Sequence, residues 1–312
     1  MSAGDAQLTH SCIDLLVMVA RFFPSLLSGT EEDLVNLLKE DNCSVDLILE
    51  RLCLEGRRRQ VKYAVHALAA IAKDDGLMSL SVLYKRLVDM LEEKTHLPAI
   101  LQSLGCIAQS AMPVFETREK EVVGFITSKI LECSSAADAV NGSLWDERSE
   151  LCSLKIYGIK TLVKSYLPEK DAHLRLGFDN LLGILKNVLT IGEISKDIKS
   201  SDVEMAHMKL ASSKAVLRLS KHWDHKIPTD IFHLTIRTSE IMYPEAKGLF
   251  LGKVHQYIKD RLLDPKYACA FVFQAANFQS LKIINTTSLK LSRCVTKQGL
   301  ANFLSYVIQA HS

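Results

Sequence analysis

Apolar positions along the chain recur three and four residues apart nearly everywhere. Between residues 58 and 71, Val61, Ala64, Val65, Leu68 and Ile71 fall on one stripe, the spacing of a helix that buries one face against a neighbour. Gly56 precedes this helix and Asp74-Asp75-Gly76 ends it. The same spacing predicts helices over 79–91, 97–110, 113–131, 147–166, 171–189, 201–220, 228–237 and 244–262. Pro98 and Pro244 sit in predicted first turns, where the missing N–H removes no intrahelical bond. Strand-like alternation is confined to 232–236, inside a helical context.

Alternate helices begin near 58, 97, 148, 203 and 244, a recurrence of 39 to 55 residues. Helical hairpins of the HEAT or armadillo type repeat every ~40–47 residues before loop insertions. Ala64, Ala67, Gly105, Gly158, Ala211, Ala215, Ala246 and Gly248 lie mid-helix, where small side chains let neighbouring helices approach closely. Segments 133–145 and 192–201, rich in Ser, Ala, Asn or Gly, are expected to be surface loops between repeats. The expected fold is all-α, a right-handed α-solenoid of HEAT/armadillo-type helical hairpins. It would comprise an N-terminal segment 1–20, the solenoid 21–272, and a basic, weakly patterned C-terminal segment 273–312 ending in a helix over 300–310. The joint at 39–44 is too short to hold another helix and implies a missing repeat unit.

Composition narrows the class without naming a chemistry. The 312 residues are 48% hydrophobic, ample for a packed core, and hold only 7 Pro and 14 Gly. Both counts lie below the usual ~5% and ~7%, which disfavours a loop-rich β sandwich. Lys plus Arg number 38 and Asp plus Glu 36, a net charge of +2, so the whole chain does not read as a nucleic-acid binder. The 8 cysteines form no C-x-x-C pair and read as free thiols of a reducing compartment. No apolar run reaches the ~18 residues of a membrane span, and the polar start lacks the basic region of a secretory signal. A soluble intracellular protein is expected.

Candidate chemistry is sparse. Neither G-x-S-x-G nor G-x-G-x-x-G occurs. Gly248-Leu249-Phe250-Leu251-Gly252-Lys253 has three residues where a phosphate loop needs four, and Val254 replaces its hydroxyl. His222-Trp223-Asp224-His225 carries metal-ligating residue types, but reads first as a polar turn leading to Pro228, with Trp223 packing. No cofactor, metal or small-molecule substrate is therefore expected, nor an enzyme. Arg57, Arg58, Arg59 and Lys62 crowd four cations near a helix N-terminus, where they oppose the macrodipole. A solvated cap and a patch for a polyanion or an acidic partner both fit them. Lys253, Lys259, Arg261 and Lys266 are diluted by Asp260 and Asp264, whereas 30–50 holds seven acids against Lys39. Opposite charges at different repeats suggest a polar docking surface.

Longer blocks carry more than any short motif. Phe23-Pro24-Ser25-Leu26-Leu27-Ser28-Gly29, Arg59-Gln60-Val61-Lys62-Tyr63-Ala64-Val65-His66 and Lys155-Ile156-Tyr157-Gly158-Ile159-Lys160 are three of them. The region from Ser220-Lys221-His222-Trp223 through Leu249-Phe250-Leu251-Gly252-Lys253-Val254-His255-Gln256-Tyr257 to Phe271 is the strongest. In these blocks, in this order, the chain resembles the Pds5 family of cohesin-associated HEAT-repeat regulators, its plant members most closely. The resemblance implies a non-enzymatic scaffold, nuclear and chromatin-associated through its partners. It would bind the kleisin subunit of cohesin and recruit release and acetylation factors, with roles in sister-chromatid cohesion, mitosis, meiosis and DNA repair. The resemblance implies that the chain corresponds to the central portion of that much longer family and lacks a hairpin near Asn42-Cys43-Ser44. The Ala-Pro-Asp segment with which the family holds release-factor peptides is not found. Arg59, Lys62, Tyr63 and Lys155 are the expected kleisin contacts, and Arg57, Arg58, Arg59 and Lys62 an alternative polyanion patch for a ligand such as an inositol phosphate. Two competing readings are a HEAT adaptor for transport or a phosphatase, and a truncated, non-functional product.

Overall fold

The computed structural model describes residues 53–54, 61–62, 64–65, 69, 78–93, 96–134, 145–167 and 175–271. Among the described residues there are helices and turns and no strand, so the all-α expectation holds and 232–236 is helical. The described residues fall in two compact units, one holding the chain up to Ile126 together with Leu167, and one holding Thr127–Tyr166 and the chain from His173 onward.

In the first unit, α1 (Met78–Asp89) and α2 (Leu97–Ser110) form an antiparallel pair, followed by α3 (Met112–Glu116) and α4 (Glu119–Phe125). The spacing that predicts α1 and α2 is the spacing that buries them: Leu80, Leu83, Leu87 and Leu91 are buried, as are Ile100, Leu104 and Ile107, and the two helices pack on each other. Pro98 occupies the first turn of α2, as its sequence position requires. The buried Tyr84 hydroxyl donates to the Phe115 carbonyl at 2.7 Å, and burial pushes its phenol far above the ordinary range. The single helix expected over 113–131 is broken. Thr117 Oγ1 donates back to the Val114 carbonyl at 2.7 Å, a local bond that competes with helix continuation. Arg118 at the break reaches Asp89, Glu121 and the Lys85 carbonyl. A π-helical turn, Ile126–Leu131, follows α4.

The second unit contains α5 (Glu150–Lys164), α6 (Phe178–Ile191), α7 (Asp202–Trp223), α8 (Thr229–Ile236) and α9 (Pro244–Lys259). Ser149 and Ser201 cap α5 and α7 by accepting the N–H of Cys152 and Glu204, which satisfies one of the orphan donors of each first turn. α7 lies between α5 and α9, while α6 packs on α7 and on α8. Odd-numbered helices thus form one layer and α6 with α8 the other, the two-layer stacking of HEAT-type hairpins. Phe250, Val254, Leu217, Phe232 and Tyr267 fill the space between α7, α8 and α9, each full burial adding ~1.5–3 kcal/mol.

One glycine behaves differently from expectation. A Cβ on Gly248 would meet nothing within 4 Å, so this glycine does not serve close approach. Gly192, which ends α6 at φ 86, is the close contact: a Cβ there would sit 2.5 Å from that of Met205.

Candidate functional site

The functional surface of a helical stack is its outward ridges and the grooves between them, so the position of each charged side chain decides what it does. Lys62 is helical and half-buried. Arg57, Arg58, Arg59 and Tyr63 lie outside the described residues, as do the acidic stretch 30–50, the joint at 39–44 and the tail 273–312. Lys155 is not a surface contact. Its side chain is 2% exposed and its Nζ donates at 2.8 Å to Glu193 Oε2, itself 4% exposed. The Ser200 hydroxyl donates to the other Glu193 oxygen at 2.5 Å. This lysine ties α5 to the loop before α7 and cannot meet a partner laid on the ridge.

Trp223 and Asp224 of the 222–225 cluster are engaged internally. Lys266 Nζ reaches Asp224 Oδ2 at 2.5 Å, and the Tyr267 hydroxyl donates to Asp224 Oδ1 at 3.0 Å. Trp223 Nε1 donates to the Tyr166 carbonyl at 3.0 Å. Among the described residues no group of three or more His, Cys, Asp or Glu is placed to hold a metal ion, and no helix is long and apolar enough to cross a membrane. Gly248 and Gly252 lie within α9, not in a loop. The thiols of Cys152 and Cys269 are buried and pushed up to about 12 and about 11, far from the thiolate form a nucleophile needs.

The second unit carries a groove of about 180 Å³ across its odd-numbered helices. Arg148, Lys160, Lys214 and Arg218 line it together with Trp145, His207 and a floor that includes Ile156, Leu210 and Ala211; among the described residues no carboxylate is present in the lining. Leu249 of α9 closes one edge and is 49% exposed. The Trp145 ring stacks on His207 with centroids 3.7 Å apart, and His207 Nε2 donates to the Trp145 carbonyl at 2.8 Å. Burial holds the His207 pKa below the usual value. Ser149 fixes the approach to α5: its N–H donates to Glu204 Oε1 at 3.2 Å, and its hydroxyl bonds the same oxygen. Arg148 and Trp145 are thereby held against α7.

The cations press on one another. Lys214 is half-buried; desolvation first, then the charges of Lys253 and Arg218, push its pKa down to about 8. Lys214, Arg218 and Lys221 lie at i, i+4 and i+7 of α7, one stripe of the helix. Across from it, the Tyr257 ring of α9 has the Lys221 ammonium at 3.7 Å and the Lys253 ammonium at 5.6 Å from its centroid. Local sequence reasoning missed this site because its cations come from α5, its N-terminal approach, α7 and α9; the α7 stripe alone was visible in the spacing.

Known proteins supply the lineage. The family model "Sister chromatid cohesion protein PDS5 protein" matches residues 40–303. The chain belongs to the Pds5 family. It is 60% identical over 288 residues to the Arabidopsis thaliana "Sister chromatid cohesion protein PDS5 homolog A", covering 84% of this chain and 18% of that protein. The Homo sapiens PDS5 homolog B is 26% identical over 228 residues, covering 70% of this chain and 16% of its own length. The Xenopus laevis homolog B-A is 25% identical over 229 residues, with 70% and 16% covered. The chain therefore spans less than a fifth of the length of these Pds5 relatives, and its plant-like character rests on the first of them.

Proposed function

We propose that the chain is a non-enzymatic scaffold that regulates sister-chromatid cohesion by engaging the kleisin subunit of cohesin, and that it works in the nucleus on chromatin. The observation that carries this is the family match over residues 40–303, a range that includes every helix described above. Regularly stacked hairpins support it, because each presents a side-chain ridge to an extended partner and contacts only its neighbours. Arg59, Lys62 and Tyr63 are the proposed kleisin contacts; Arg57 to Lys62 as a polyanion patch remains the alternative for the same surface. Lys155 has no part in either. Through the same scaffold, cohesin release and acetylation factors would be recruited, with consequences for mitosis, meiosis and DNA repair.

A pull-down with a kleisin fragment tests this directly. The chain is expected to retain the fragment, and Arg59→Glu with Lys62→Glu to lose at least about tenfold in affinity, the scale of two rim charges reversed. Undiminished binding by that variant refutes the contact assignment. A well-folded wild-type chain that captures no kleisin refutes the scaffold reading for this portion of the family.

A further inference from the structure

We propose that the groove over α5, α7 and α9 is a docking site for an extended acidic peptide that seats an apolar side chain over Trp145 and Leu249. The inference stands apart from kleisin engagement through Arg59, Lys62 and Tyr63, and it fails or holds independently of it.

Charge complementarity is the first argument. Four cations of this unit outside the groove meet carboxylates: Lys155 with Glu193, Lys186 with Asp230, Arg237 with Glu240, Lys266 with Asp224. In the groove Arg148, Lys214 and Arg218 converge on one cavity with no carboxylate among its described lining residues. Lys253 and Lys221 extend the same charge around Tyr257. Desolvation first, and then the charges of Lys253 and Arg218, penalise the Lys214 ammonium, and an incoming anion relieves both.

The floor selects among anions. Ile156, Val163, Leu210, Ala211, Ala215 and Leu249 make much of the lining apolar. A polyphosphate gains nothing from such a floor, and a cavity of about 180 Å³ admits one large side chain, not a nucleic-acid duplex. Spacing fits a strand-like ligand. Lys214 and Lys221 are two turns apart, ~10 Å along the axis, which an extended chain covers in about three residues. Acidic residues two or three positions apart, around one apolar residue, satisfy rim and floor together.

Fluorescence anisotropy on the full chain decides the matter. The ligand is a dye-labelled synthetic peptide with Glu at every third position around a single Phe; its Glu→Gln analogue, inositol hexakisphosphate and a short DNA duplex are the competitors. The Glu peptide is expected to bind, and the Gln analogue at least about tenfold more weakly. Lys214→Glu with Arg218→Glu is expected to lose at least about tenfold, and Leu249→Ser to weaken binding severalfold. Lys221→Glu, further along the stripe, gives a second reversal should the first variant melt early. Equal binding of the Glu and Gln peptides overturns the proposal, as does no binding at all. A site that takes inositol hexakisphosphate or DNA but not the Glu peptide is a phosphate site, and also overturns it.

Discussion

Replacing Lys155 by Met removes the ammonium and leaves the Glu193 carboxylate facing an apolar side chain in an enclosed site. At 2.8 Å the pair attracts by ~6 kcal/mol at an effective dielectric near 20, and desolvation of both ions consumes most of that gain. The asymmetry lies in what is left behind. A single deletion strands a buried charge and costs about 3–5 kcal/mol, whereas replacing both ions with apolar groups of similar volume is near neutral. In the double variant Lys155→Met/Glu193→Met, only Ser200 loses a partner, and it is half-exposed and open to water. Thermal melting followed by circular dichroism should show the single variant ~6–20 °C below wild type, taking about 2–4 °C per kcal/mol for a unit of this size. The double variant should return to within a few degrees. Amide exchange should quicken over 193–200 in the single variant, since the loop is anchored through Glu193. A single variant that melts with wild type, or a double variant that falls as far as the single one, refutes the reasoning. Lys155→Glu is accordingly useless for mapping a docking surface, because it sets two carboxylates against each other and unfolds the loop.

Gly192→Ala combines a strained left-handed φ with a Cβ 2.5 Å from that of Met205, so it should destabilise by about 2–4 kcal/mol; Gly252→Ala, in an open helical position, should stabilise by about 0.5–1 kcal/mol, and urea unfolding of both variants checks the contrast. Burial lowers the His207 pKa, so below about pH 6.5 the unfolded chain takes up the proton more readily than the folded one. Stability is therefore full above that value and falls as pH drops beneath it, and His207→Gln should flatten the slope in urea titrations between about pH 7.5 and about pH 5. Lys214→Met removes an ammonium penalised by desolvation and then by its neighbours' charges and should stabilise the chain at neutral pH by about 1–2 kcal/mol after allowance for its partial exposure; unchanged melting refutes that penalty.

What was legible in the sequence is what local patterns encode. The 97–110 helix matches α2 at both ends, and Pro244 opens α9 as its position demands, because apolar spacing and proline placement are properties of a few neighbouring residues. The break at Thr117 and Arg118 was not legible, since a side-chain back-bond and ion pairs to α1 override a continuous apolar pattern. Lys155 misled for the same reason. On the helix it looks like any surface lysine, and only Glu193, 38 residues on, shows it to be buried. The groove is a purely tertiary object: Arg148, Lys160 and Lys214 meet only because α7 lies beside α5.

The Lys214 pKa turns the docking proposal into a pH measurement. Between about pH 8 and pH 10.5 the folded free chain has lost a proton that the unfolded chain keeps, so wild-type stability should climb across that window and Lys214→Met should not. A bound carboxylate favours the ammonium, so it must draw the Lys214 pKa back upward. Docking above pH 8 is then coupled to uptake of a proton, and affinity should fall with pH by up to about tenfold per unit. The other groups around the site are Arg148 and Lys160 from the α5 side, His207 and Arg218 of α7, and Lys253 of α9. The arginines stay charged throughout, and His207 is neutral across the whole window. Lys214→Arg should keep the affinity for the Glu peptide and lose its slope between about pH 8 and pH 9.5, whereas Lys214→Met should lose both. Anisotropy titrations at stepped pH separate these outcomes. If Lys214→Arg keeps the wild-type slope, Lys214 is not the group that meets the anion.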